Sequence, residues 1–175
     1  MTDWTKPLDK ISRYFTVHDA CLLPKLKVMC VPTEQEKDNI QDMAQVMDQI
    51  RVLLNKPINI HSWMRTAEYN ASVNGAVNSM HLHGFAVDFD CGEDCDVTRT
   101  RLLPLLRTLN IRMENNPKGT WVHVDMRGVK DEKTRFFTPL GMLWLPLTET
   151  IRSRSLLDHP RMLKPFIFIV AYQKP

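Results

Sequence analysis

The stretch SMHLHGFAVDFD, Ser79 to Asp90, places two histidines and a glycine ahead of a strand-like run that carries aspartates among apolar residues. Alternate residues of a strand share a face. Phe85, Val87 and Phe89 therefore point one way, into a core, and Ala86, Asp88 and Asp90 point the other. The segment TWVHVDMR, 120–127, repeats the pattern. Val122, Val124 and Met126 form its core face, and Trp121, His123, Asp125 and Arg127 share the opposite one. If the two strands pair, Asp88 and His123 lie across from one another. His81 precedes Gly84, where the chain can bend sharply, so its imidazole can swing back over Asp88. The result is His81, Asp88 and His123 around one point, a nitrogen and oxygen ligand set suited to zinc. Three protein ligands leave a fourth position for water, as catalytic rather than structural zinc sites do. A strand with one solvated face would show the same alternation, with ordinary surface histidines. Spacing alone leaves both readings open.

Working outward, Thr33-x-x-Glu36 is a capping box. Ile40, Met43, Met47, Ile50 and Leu54 follow it at helical spacing as one apolar stripe, and Asn55-Lys56-Pro57 ends the helix. This stripe reads as core. INIHSWMR, 58–65, reads as a strand, and TAEYNASVN as a short helix closed by Asn74-Gly75. DVTRTRLLPLLRTLN, 96–110, reads as a helix capped by Asp96 or Thr98, with Pro104 kinking it or marking its true start. IRMEN is a further strand, separated from TWVHVDMR by the turn Asn116-Pro117-Lys118-Gly119. Residues 1–32 look irregular, with a short helix near 17–22. The expected fold class is α+β, a small antiparallel sheet with helices packed on one side. After about residue 130 the pattern fades. Residues 131–175 are proline-punctuated and apolar in patches, an extension that either continues the domain or covers a face of it; PFIFIVAY, 165–172, reads as a buried strand.

A chain of 175 residues with 43% hydrophobic and 25% charged residues fits one soluble domain able to bury a core without staples. Any metal would then be functional before it is structural. The net charge of +3 is too small to argue nucleic-acid binding, and no basic run supports it. The polar start MTDWTKPLDKIS lacks the apolar core of a secretory signal, and no stretch approaches the roughly 20 apolar residues of a membrane span. Cys21, Cys30, Cys91 and Cys95 are expected as reduced thiols, most simply buried or inert. Cys91-x-x-x-Cys95 matches no common zinc spacing.

The stretch 79–90 resembles the Ser-x-His-x-x-Gly-x-Ala-x-Asp motif of the zinc D-Ala-D-Ala carboxypeptidase family, matching at Ser79, His81, Gly84, Ala86 and Asp88. That family includes phage endolysins and shares its fold with the Hedgehog signalling domain. SWMRTAEYN, 62–70, looks like the family's Ser-Gly-Tyr-Arg-Thr-Pro-Glu-Tyr-Asn segment, and WVHVDMRG, 121–128, is similar to its His-Val-Asp-Val-Arg-Gly strand. Three segments in the same order make a specific match. The resemblance implies a Hedgehog/DD-peptidase-like peptidase domain over residues 1–130. It also implies zinc (Zn2+) on His81, Asp88 and His123, and a peptidoglycan peptide as substrate. It implies that Arg65 holds a substrate carboxylate or carbonyl, with Ser79 hydrogen-bonding nearby; an ion pair with Glu68 or Asp90 is the structural alternative for Arg65.

Many relatives carry an acid three residues before the last histidine. Here that residue is Thr120, which cannot serve as a base near neutral pH. Asp125 is the favoured catalytic base; it is equally able to orient an imidazole, and Glu114 is a further candidate. His83 lines the cleft as a substrate contact or is an exposed loop residue. His61 shares a strand face with Arg65, and Trp63 and Trp121 either floor the groove or pack in the core. The expected activity is hydrolysis of stem or cross-link peptides, as a carboxypeptidase or endopeptidase of endolysin type. The alternative is a non-catalytic, zinc-stabilised binding or virion module. A monomer is expected, held in the cytoplasm until release, as a phage lysin is, or carried by a virion.

Overall fold

The computed structural model describes residues 1–138 apart from 118 and 130. The strand expected at 165–172 lies outside the described residues. The chain opens with α1 (Val17–Cys21), β1 (Leu22–Leu23) and β2 (Val28–Met29), followed by α2 (Glu34–Leu54) and β3 (Asn59–Ser62). Next come α3 (Ala67–Ser72), β4 (Ala86–Asp90) and α4 (Cys95–Leu102). Strands β5 (Arg112–Glu114), β6 (Val122–Asp125) and β7 (Phe136–Phe137) complete the described chain. The main sheet has the order β3-β4-β6-β5-β7. Its first four strands are antiparallel neighbours, and β7 joins β5 in parallel. The fold is mixed α and β, as expected, but the sheet is not wholly antiparallel. It also runs past residue 130, because Phe136 and Phe137 pair with Met113 and Glu114. Among the described residues, no helix is long and apolar enough to cross a membrane.

Helix α2 starts where its capping box demands. Thr33 Oγ1 accepts from the Glu36 N–H, and Glu36 Oε2 accepts from the Thr33 N–H at 2.7 Å. It stops at Asn55, whose left-handed φ of 53° ends the helical run. Ile40, Met43, Met47, Ile50 and Leu54 are all buried, each contributing roughly 2 kcal/mol of apolar burial. They share one apolar cluster with Val87, Phe89, Met113, Val122 and Val124 of the sheet. Trp63 lies wholly in this core, and its indole N–H donates to the Gly84 carbonyl at 2.9 Å. Trp121, by contrast, is exposed.

Three local expectations need correction. Helix α4 is capped by Asp94, not by Asp96 or Thr98, because Asp94 Oδ1 accepts from the N–H groups of both Asp96 and Val97. The helix also ends at Leu102, and Pro104 sits in a 3₁₀ turn, Leu103–Leu105, where its missing N–H does least harm. Within the stretch that looked irregular, β1 and β2 form a hairpin pairing Leu22 with Met29.

Candidate metal centre

Strand register brings the first two site residues together. Strands β4 and β6 pair Ala86 with Asp125 and Asp88 with His123. The face carrying them is not solvated: Ala86, Asp88 and Asp125 are all buried. The segment between β3 and β4 folds over it. The Arg65 N–H donates to the His81 carbonyl at 2.9 Å, and His81 sits in a 3₁₀ turn, Met80–His83. Ser79 caps that turn, its Oγ accepting from the His81 N–H. Gly84 closes it with a φ of 75°. A Cβ at Gly84 would stand 2.7 Å from Ile40 Cγ1, so the turn packs tightly on α2. Asn39 reinforces the contact by donating to the His83 carbonyl at 2.8 Å.

One ligand atom each from His81, Asp88 and His123 lies within 4.8 Å of the others. His81 Nε2 is 3.2 Å from Asp88 Oδ1, and His123 Nδ1 is 2.7 Å from the same oxygen. Ligands around a tetrahedral ion with bonds near 2.0–2.1 Å stand about 3.3 Å apart, so the cluster is close to the size zinc requires. The outer nitrogens are engaged as well. His81 Nδ1 donates to the Trp63 carbonyl at 2.6 Å, which leaves its Nε2 lone pair turned inward. That Nε2 is buried and, beyond its approach to Asp88 Oδ1, finds no hydrogen-bond partner among the described residues. A buried orphan acceptor is costly, and an ion would satisfy it. His123 Nε2 faces Asp125 Oδ2 at 3.5 Å, near enough for the charge to act though long for a hydrogen bond. Fixing the outer nitrogen of each imidazole is how proteins set the metal-binding tautomer. The residues present therefore fit zinc.

In the metal-free site the electrostatics treat the two imidazoles differently. Burial pulls the His81 pKa down and favours the neutral, ligating form. Burial also opposes charge on His123, but Asp125 and Asp88 outweigh it and push that imidazole up to about 9. Burial likewise works against ionised Asp88, yet His81 and His123 hold it well below the carboxylate range. Arg65 supports the same carboxylate, donating from Nη2 to Asp88 Oδ2 at 2.5 Å and from Nε to Ser62 Oγ at 2.8 Å. Arg65 is thus paired with Asp88, not with Glu68 or Asp90.

Asp125 is fully engaged. Arg112 donates to its two oxygens at 2.9 and 2.6 Å, and the Arg127 N–H donates to Oδ1 at 2.9 Å. The Arg112 guanidinium lies 4.3 Å over the Phe137 ring, and that ring meets His123 edge-on at 6.2 Å. Sequence reasoning missed Arg112; its only signal was a basic residue at alternating spacing in IRMEN. His83 is exposed at the rim of the turn. His61 pairs with Asp90 at 2.6 Å on the exposed β3 edge, apart from the cluster.

The sequence model of the family described as Peptidase M15 matches residues 14–125, well over half of the chain. The chain belongs to the peptidase M15 family. The matched span includes all three residues of the cluster. M15 proteins are zinc peptidases, so membership supports a metallopeptidase with a peptide substrate and zinc as the metal that His81, Asp88 and His123 fit. No curated protein and no solved structure gives a significant match to the chain.

Proposed function

We propose that the protein is a zinc peptidase of Hedgehog/DD-peptidase fold that hydrolyses stem or cross-link peptides of peptidoglycan. The observation that carries this is the inward convergence of His81 Nε2, Asp88 Oδ1 and His123 Nδ1, with an orphaned buried lone pair on His81. Zinc held there supplies Lewis acidity, polarising an amide carbonyl and making water nucleophilic at neutral pH.

The chain's own residues do the rest. Arg65 holds Asp88 through Nη2 and keeps Nη1 free of hydrogen bonds among the described residues. In this reading Nη1 takes the substrate's carboxylate or carbonyl. Ser79, which accepts from His81 N–H, still has a hydroxyl proton to donate to substrate. His83, exposed at the rim, contacts the peptide as it enters. Asp125, the favoured base from sequence, is better read as the group that orients His123, since Arg112 occupies both of its oxygens. As a lysin, the protein would act once the membrane is opened or from within a virion.

The rival reading is a zinc-stabilised binding module without turnover, favoured by Thr120 standing where relatives carry an acid. Mass analysis of muropeptides digested by zinc-loaded protein, chelated protein and His123→Ala separates the two. Peptide cleavage by the zinc-loaded form alone supports the peptidase. Tight zinc binding with no cleavage of any peptidoglycan supports the module.

A further inference from the structure

Thr120 leaves the site without an acid at the usual place, and Asp125 has no free oxygen. Strand β5 offers another carboxylate. The β5–β6 register pairs Arg112 with Asp125 and Met113 with Val124. Two residues beyond Arg112 on the same strand, Glu114 lies on the face that Arg112 shares with Asp125. Glu114 therefore stands on the face that carries Asp88 and His123, nine residues before His123 in sequence but one strand away in space. On its other side β7 pairs Phe137 with Glu114.

We propose that Glu114 is the proton carrier of the M15 site, a catalytic residue that takes a proton from the attacking water and delivers it to the leaving amine. The inference rests on the peptidase reading above. Three observations support it. The side chain is half-buried, so it is sheltered yet reachable. Its carboxylate makes no hydrogen bond with any described residue, whereas Asp88 and Asp125 are each held by an arginine. It also lies within the electrostatic reach of the cluster: His123 and Asp125 of β6, Asp88 of β4 and Arg99 of α4 all act on it.

The step balances as a hydrolysis. The water oxygen bonds to the amide carbon, and one water proton passes to a Glu114 oxygen. As the C–N bond breaks, that proton moves to the leaving nitrogen. The second water proton leaves the new carboxyl group and completes the ammonium product.

The test compares wild type, Glu114→Gln and Glu114→Asp at equal metal occupancy. Glu114→Gln should bind zinc within about twofold of wild type. Its kcat on muropeptides should fall on the order of 10²–10⁴-fold with KM little changed, as loss of a general base does. Glu114→Asp should recover part of that loss. A Glu114→Gln enzyme within threefold of wild type overturns the inference and leaves the peptidase reading standing. If zinc-loaded wild type cleaves nothing, the peptidase reading fails, and cobalt-substituted protein then decides the role of Glu114. A shift of about one pH unit or more in the pH-dependent d–d spectrum of Glu114→Gln places its carboxylate in proton contact with the site. An unshifted spectrum overturns that contact.

Discussion

Replacing Asp125 with asparagine should weaken zinc binding and destabilise the fold by separable amounts. The carboxylate faces His123 Nε2 at 3.5 Å and receives both arms of Arg112. Removing the outer partner of a metal-bound histidine costs about 10–100-fold in affinity. The contact is long, and asparagine keeps one acceptor oxygen, so the lower part of that range applies: about 10–30-fold, or roughly 1.4–2 kcal/mol. The second effect falls on Arg112, only 15% exposed. Breaking a buried ion pair costs about 3–5 kcal/mol, and the remaining acceptor and the Phe137 ring bring the expectation to roughly 2–3 kcal/mol. Zinc affinity is read by competition with a chromophoric chelator, and stability by urea unfolding of metal-free protein. Adding Arg112→Met to Asp125→Asn removes the stranded cation, so stability should recover while zinc affinity does not. A zinc Kd for Asp125→Asn within twofold of wild type would refute the orienting role.

Three further outcomes follow from the same geometry. Arg65→Lys keeps the charge but loses the fork that joins Ser62 to Asp88, so zinc affinity should drop about tenfold; unchanged affinity and kcat/KM would show that the fork does nothing for the site. Gly84→Ala must place a Cβ 2.7 Å from Ile40 Cγ1 at a φ of 75°, costing roughly 2–3 kcal/mol and lowering Tm by about 5 °C or more, as thermal denaturation would show. In metal-free protein the raised His123 pKa contributes stability that is fully present below about pH 6.5 and lost as pH rises through about 9. Stability should therefore decline by about 2–3 kcal/mol between pH 6.5 and 9.5, and His123→Asn should flatten that slope; a wild-type profile already flat would contradict the pairing with Asp88 and Asp125.

The meeting of Asp88 and His123 was legible because strand alternation is a short-range code. Asp88 and His123 each interrupt an apolar run, as a solvated face would also do, and the resemblance of 79–90 and 121–128 to the family's segments is what favoured a shared site. Helix α2 was legible for a similar reason: its cap and its stripe lie within its own residues. What escaped was set by tertiary contact. Arg112 gains its meaning only when β5 pairs with β6 and lays its fork on Asp125. Trp63 read as a groove floor or as core with equal ease; its indole found the Gly84 carbonyl and its own carbonyl took His81 Nδ1. The β1–β2 hairpin and β7 have two residues per strand, too few for a period to show. Asp94 lost the N-cap reading to Asp96 and Thr98 because the acidic run around it offers three capping side chains in five positions.

Zinc K-edge absorption on the loaded protein probes the ligands themselves. Two imidazoles and oxygen donors should appear at about 2.0–2.1 Å, with the imidazole signal halved in His81→Ala and again in His123→Ala. A sulfur shell near 2.3 Å, or a spectrum unchanged by either substitution, would place the ion elsewhere and contradict the site described.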